Sequence, residues 1–137
     1  MEGYEAAVQR AQSYLAAGAD GIFPEALESA GEFREFAKRL RGALLVANMT
    51  EFGKSPLLSA RHLAAMGYRV VIFPLTAFRV STRATETCLH DLKRRGTQRA
   101  WLARMQTRHE LYDLLDYDPS APVDAQKGAL RKITRTG

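Results

Sequence analysis

Apolar positions along this chain alternate between two spacings. Tyr4, Val8, Ala11 and Leu15 recur at helical intervals, and Gly18 follows as a helix stop. Short consecutive apolar runs come next, predicting strands over Gly21–Pro24, Ala43–Asn48 and Arg69–Leu75. Between the first two, Phe33, Phe36, Ala37 and Leu40 share one helical face, with Gly42 just beyond its end. Ser59 is placed to cap a third helix and Gly67 to stop it. Ala77–Arg95 then reads as a longer helix ending at Gly96.

Strands starting at 21, 43 and 69 are separated by about 22 and 26 residues, the compact βα rhythm of an α/β protein. Their near-continuous apolarity predicts a parallel sheet covered by helices on both faces. No glycine-rich phosphate loop follows any of them, which argues against dinucleotide binding and for a segment of a (β/α) barrel. A complete eight-stranded barrel takes about 250 residues, and this chain has 137. Three strands leave two open sheet edges, so the expectation is a fragment whose sheet something else completes. That segment is assigned to residues 1–96.

From Thr97 the alternation ends. Trp101, Leu102, Met105, Leu111, Tyr112, Leu114 and Leu115 predict two short amphipathic helices, assigned to 97–117. They are either an appendage that packs on a neighbour or a cap on the same barrel. The stretch 118–137, with Pro119, Pro122 and Gly128, is expected to be poorly ordered.

Composition narrows the classes of partner. Hydrophobic residues make up 46% of the chain, enough for a packed core. The formal net charge is +5, carried by 15 arginines against 5 lysines. Such a balance suits nucleic acid or small anions, and the lack of interleaved basic and aromatic residues turns the reading to small anions. The lone Cys88 excludes an internal disulfide framework and a cysteine-rich zinc site. No apolar run reaches the roughly 20 residues of a membrane span. The first residues lack the basic and apolar regions of a signal peptide, so the expected compartment is the cytoplasm.

Candidate chemistry gathers where the predicted strands end, the rim on which α/β enzymes hold ligands. Glu25 follows Pro24 and can orient a metal-bound water or bind a substrate hydroxyl; it can equally serve the dipole of the next helix. Asn48 and Thr50 can donate to a carboxylate, or simply build a turn. Arg79, just beyond the third strand, and Arg108 are candidates for anion clamping, since a guanidinium meets a carboxylate with two parallel hydrogen bonds. Cys88 reads as a packing residue, with His90 at i+2 on another side of the helix. His62, His90 and His109 show no metal-ligand spacing.

The blocks Ala6–Ala19, Phe23-Pro24-Glu25-Ala26, Ala47–Pro56 (ANMTEFGKSP), Phe73–Arg79 (FPLTAFR) and Gly96–Tyr112, with Met105-Gln106-Thr107-Arg108, occur in order. Through them the chain resembles the C-terminal half of the 2-methylisocitrate lyases, in the isocitrate lyase and phosphoenolpyruvate mutase superfamily. The loop Thr50-Glu51-Phe52-Gly53 favours that branch over isocitrate lyase proper. The resemblance implies a partial (β/α)₈ TIM barrel, strands six to eight with their helices. It also implies Mg²⁺-dependent cleavage of 2-methylisocitrate to pyruvate and succinate, in propionate catabolism. In that reaction a base takes the substrate hydroxyl proton, the carbon–carbon bond breaks, and an acid protonates the succinate carbanion.

By the same resemblance Glu25 is the carboxylate near the metal-bound water and substrate. Asn48, Met49 (through its backbone) and Thr50 form the substrate-carboxylate segment, and Arg79 and Arg108 the two anion-binding arginines. The family's Lys-x-Cys-Gly-His motif and its Mg²⁺-binding aspartates are absent from this sequence, and the context of Cys88 does not replace that cysteine. The isolated chain is therefore expected to hold part of a substrate cradle without turnover. Its partners are a tricarboxylate and the N-terminal half of the barrel or another protomer, with a homo-oligomeric parent through exchange of C-terminal helices. Oxaloacetate decarboxylase-like or phosphonopyruvate-type chemistry, and a non-catalytic half-barrel that only docks, are the alternatives.

Overall fold

In the computed structural model, which describes residues 3–121, two compact units are present, Met1–Thr85 and Glu86–Gly137. The first unit opens with α1 (Tyr4–Ala16), β1 (Gly21–Ile22), α2 (Ala30–Arg39), β2 (Leu44–Asn48), α3 (Ala60–Met66) and β3 (Val70–Ile72). Next comes α4 (Thr76–Arg95), whose last ten residues fall in the second unit; a 3₁₀ segment (Arg99–Arg104) and α5 (Arg108–Leu114) complete the chain.

The helix ends follow local chemistry. Ser59 accepts a hydrogen bond from the His62 amide at 3.2 Å and opens α3, while Gly67 closes it at φ +109°. Ser29 caps α2 in the same way, accepting from the Glu32 amide at 3.1 Å, and the Glu32 carboxylate takes the Glu28 amide at 2.6 Å. Thr107 and Glu110 form a reciprocal capping box at the start of α5.

The three strands form one parallel sheet in the order β1-β2-β3. Gly21 pairs with Leu44 and Ile22 with Leu45; Val46, Ala47 and Asn48 pair with Val70, Val71 and Ile72. Gly21 is required by this close approach, because a Cβ there would lie 2.8 Å from the Leu44 carbonyl oxygen. Both ladders are shorter than the apolar runs predict: β1 stops before Phe23 and β3 before Phe73.

Coverage of the sheet departs from the sequence expectation. Leu45, Ala47 and Met49 are buried against the helices, in a core with Val8, Ala11, Phe33, Phe36 and Leu63. The alternate positions stay open: Leu44 and Val70 are exposed, and Val46 and Ile72 only half-buried. Helices thus cover one face, not two. An apolar run marks a strand but cannot say whether the same chain supplies both covering layers.

In the second unit, Trp101 is buried and Cys88 is half-buried on α4, as a free thiol. Ser120 donates to Asp118 through its amide and hydroxyl, at 2.8 and 2.6 Å. Residues 122–137, most of the stretch expected to be poorly ordered, lie outside the described residues. Among the described residues no helix is long and apolar enough to cross a membrane.

Candidate functional site

A parallel sheet sends all its strands' carboxyl ends to one edge, so their following loops converge there. Glu25 lies three residues beyond Ile22, and Asn48 three beyond Leu45, the partner of Ile22. Asn48 is itself paired with Ile72, after which Thr76 opens α4. Register therefore puts Glu25, Asn48–Thr50 and the Thr76–Arg79 turn along one edge of the first unit.

Two polar links lace the loops of that edge together. Lys54 bonds Glu28 at 3.2 Å, joining the loop after β1 to the loop after β2. Both side chains are well exposed, so the pair guides more than it stabilises. The second link is better built. Glu51 accepts from the Thr76 hydroxyl through Oε1 and from Arg79 Nη1 through Oε2 at 3.2 Å. The same Nη1 donates to the Glu51 backbone carbonyl at 2.8 Å. The Thr76 hydroxyl, followed by backbone hydrogen bonding and, more weakly, the Arg79 charge, holds the Glu51 carboxyl below its ordinary pKa.

Phe52 completes the arrangement. Its ring lies under the Arg79 guanidinium, 5.1 Å from centroid to Cζ, within cation–π range. It is 94% exposed and adopts φ +61°. A bulky residue in the left-handed region costs about 1–3 kcal/mol and persists only where the surrounding contacts hold it.

Asn48, the last residue of β2, is half-buried, and its Oδ1 is fully buried without a hydrogen-bond partner among the described residues. A buried amide oxygen left unpaired costs about 1–3 kcal/mol, and it offers a ligand a polar group that the protein does not consume. Met49 is buried, its amide donates to the Ile72 carbonyl at 2.9 Å, and its sulfur accepts from the Leu58 amide at 3.4 Å. The Met49 N–H is therefore committed to the sheet, and a backbone contact from this residue would have to use its carbonyl. Thr50 is half-buried at the loop entrance, and Glu25 is exposed beside Pro24. Arg108 belongs to the second unit, as the first residue of α5.

Sequence reasoning left Glu51 and Thr76 without a role. The available signal was a carboxylate and an arginine just past neighbouring strands, though nothing local pairs residues 28 positions apart.

Among the described residues no group of three or more His, Cys, Asp or Glu side chains is placed to hold a metal ion. The edge offers three carboxylates, Glu25, Glu28 and Glu51; Glu28 is paired with Lys54, and Glu51 is engaged by Thr76 and Arg79. Mg²⁺ asks for an octahedral set of oxygens that includes free carboxylates. The described residues do not make that set by themselves.

A family model described as phosphoenolpyruvate phosphomutase matches residues 1–93. The chain is 52% identical to a 2-methylisocitrate lyase of Aeropyrum pernix over 126 residues, covering 92% of this chain and 41% of that protein. In structure it is similar to 2,3-dimethylmalate lyase, a PEP mutase/isocitrate lyase superfamily member, with TM-score 0.79 and 35% identity over 93% of this chain and 44% of that one. It is also similar to a phosphonopyruvate hydrolase solved with oxalate and Mg²⁺, with TM-score 0.69 and 26% identity over 98% and 44%. The chain spans about two fifths of the length of the curated relatives it matches.

Proposed function

The chain belongs to the phosphoenolpyruvate phosphomutase family, and from that premise we propose that it is the substrate-cradling part of a 2-methylisocitrate lyase. The observation that carries the reading is the Asn48–Phe52 segment. It ends the central parallel strand with an unpaired amide oxygen and runs into the loop that grips the Arg79 guanidinium. The identity to the Aeropyrum pernix lyase supports the branch.

In this reading the substrate's carboxylates meet Arg79, Asn48 and Thr50, with Met49 contributing through its backbone, and Arg108 is the anion-binding side chain of the second unit. Arginine suits the task because it stays charged and offers paired N–H donors in a plane. Glu25 takes the hydrogen bond of the substrate hydroxyl whose proton must leave. As that proton goes, the C–O⁻ electrons form the pyruvate carbonyl, and the electrons of the broken carbon–carbon bond pass to succinate. A proton from an acid then completes succinate. When bound, Mg²⁺ would supply charge stabilisation for the oxo-acid half. Its ligands and the proton-donating acid are assigned to protein outside the described residues, because neither Glu25 nor Cys88 answers for them.

The three strands are read as part of a (β/α)₈ barrel. The half-covered sheet supports this, as does a groove of about 410 Å³ beside the edge strand β1, lined by Ala7, Ala11, Tyr14, Phe23 and Phe36. The remaining barrel, from another chain or protomer, is the partner. A reducing cytoplasm accords with the single free thiol.

The test is reconstitution. The chain is mixed with the complementary N-terminal part of the Aeropyrum pernix lyase, and each size-exclusion peak is assayed with Mg²⁺ for pyruvate and succinate release from 2-methylisocitrate. A defined complex with turnover supports the reading, and a defined complex without turnover overturns it in favour of a docking module. The oxalate-bound neighbour favours one second reading, oxaloacetate- or phosphonopyruvate-type chemistry. Preference for those substrates in the same complex would establish it.

A further inference from the structure

Glu51 poses an electrostatic problem. A carboxylate beside an arginine that binds anions repels the ligand, so its presence at this edge lowers affinity unless it also does something useful. Arg79 is a long side chain with many rotamers. Glu51 consumes only its Nη1 edge, through one bond to the carboxylate and one to the backbone carbonyl. Nε and Nη2 have no protein partner among the described residues. Phe52 supports one face of the guanidinium plane, and Thr76 bonds the other oxygen of Glu51, so the carboxylate is itself fixed.

We infer that Glu51 is a positioning residue for Arg79, holding one edge of the guanidinium so that Nε and Nη2 are presented together to a carboxylate of the ligand. The inference rests on the reading of Arg79 as an anion-binding side chain. It deepens that reading by assigning the ligand a bidentate carboxylate at this position, which a monodentate or neutral group would not satisfy. Phe52 and Thr76 are the two supports of the same device. The left-handed backbone at Phe52 is explained by the need to bring its ring under the guanidinium directly after Glu51.

The test is binding of tricarballylate, a tricarboxylate that cannot be cleaved, to the full chain by NMR titration at fixed ionic strength, with the Arg79 Nε–H resonance as a local reporter. Arg79→Ala is expected to weaken binding by about tenfold or more, the worth of one charged bidentate contact. Glu51→Ala weakens it to a similar extent despite removing a negative charge, and broadens the Arg79 Nε–H signal. Glu51→Gln stays within about threefold of wild type, because its oxygen still accepts from Nη1. Glu51→Asp, which keeps the charge but withdraws it by one methylene, weakens binding as alanine does and covers the case in which Glu51→Ala does not fold. In an Arg79→Ala background, loss of Glu51 has no further effect.

If Arg79→Ala abolishes binding while Glu51→Ala binds as well as wild type or better, positioning is overturned and Glu51 is only a repulsive neighbour. If Arg79→Ala binds like wild type, or the wild-type chain does not bind, the reading of Arg79 falls and the inference with it.

Discussion

Trp101 donates its indole N–H to Asp91 Oδ2 at 3.2 Å, pinning the 3₁₀ segment onto the last turns of α4. The other carboxylate oxygen accepts from Arg94 at 2.6 Å and Arg95 at 3.0 Å. Asp91 thus serves three donors, which hold its pKa down to about 2 from the ordinary 3.8, Arg94 contributing most and Arg95 next. A carboxyl with a depressed folded-state pKa stabilises fully above its unfolded value and loses that contribution as pH falls through the folded one. The chain has a single tryptophan, so its fluorescence reports the surroundings of Trp101, which include Asp91 and the Arg104 guanidinium 5.1 Å from its ring. The acid transition of that fluorescence is expected to centre near pH 2 and to move up toward 4 in Arg94→Ala/Arg95→Ala. A wild-type midpoint already near 4 would show that the three donors do not act on Asp91 in solution.

Arg108 depends on a cap. Thr107 accepts from the Glu110 amide at 3.2 Å, and Glu110 returns a bond to the Thr107 amide at 2.7 Å. Seven residues make a short helix that holds few turns without such an end. Thr107→Ala is expected to remove about 1 kcal/mol of local stability. Hydrogen exchange should quicken in α5 by about fivefold while α2 and α3 are unchanged. Equal acceleration across the chain would mean that the cap stabilises more than its own helix.

The features legible from sequence are those that short-range chemistry decides. Ser59, Gly67 and Gly96 mark helix ends because a hydroxyl or a missing Cβ solves a problem at that residue. The parallel βα order follows from apolar runs spaced by helices, and the family blocks point to the family that the match over residues 1–93 establishes. Strand ends were less legible. Phe73 continues the apolar run of β3 yet is half-exposed, because Pro74 and the start of α4 carry the chain away from the ladder. The link between Glu51 and Arg79 was not legible at all. It depends on β2 and β3 being neighbours in register, which no local pattern encodes.

Tyr68 ties β3's approach to the middle of α2. Its hydroxyl donates to the Phe33 carbonyl at 3.2 Å, and its ring packs 5.5 Å from that of Phe33. Both side chains are buried. Tyr68→Phe keeps the packing but removes the donor, with an expected loss of about 0.5–1.5 kcal/mol. Phe33→Ala removes a ring from the core and is expected to cost about 3–5 kcal/mol. Burial, the larger cause, with Tyr4 adding to it, raises the Tyr68 pKa well above 10.0. The neutral phenol therefore stabilises below pH 10, and this is lost as rising pH ionises the unfolded chain's tyrosine first. Urea melts should show wild type losing more stability than Tyr68→Phe between pH 9 and about 11. Parallel losses would mean that Tyr68 is not the group responsible.

The uncovered sheet face decides how the isolated chain behaves. Leu44 and Val70 on that face are 42% and 39% exposed. They lie on or beside strands at whose edges β1 and β3 have no further neighbour among the described residues. A contiguous apolar surface bordered by unpaired strand edges favours association. Light scattering on the purified chain is therefore expected to show mass rising with concentration. Val70→Lys puts a charge on the edge strand and, within the open face, is not placed among the buried core residues. It should reduce association while leaving the thermal midpoint of dilute samples within a few degrees of wild type. Association that persists in Val70→Lys would move the sticky surface to the second unit, where Leu102, Leu114 and Leu115 are also exposed. Leu114→Lys would then be the variant that disperses the chain.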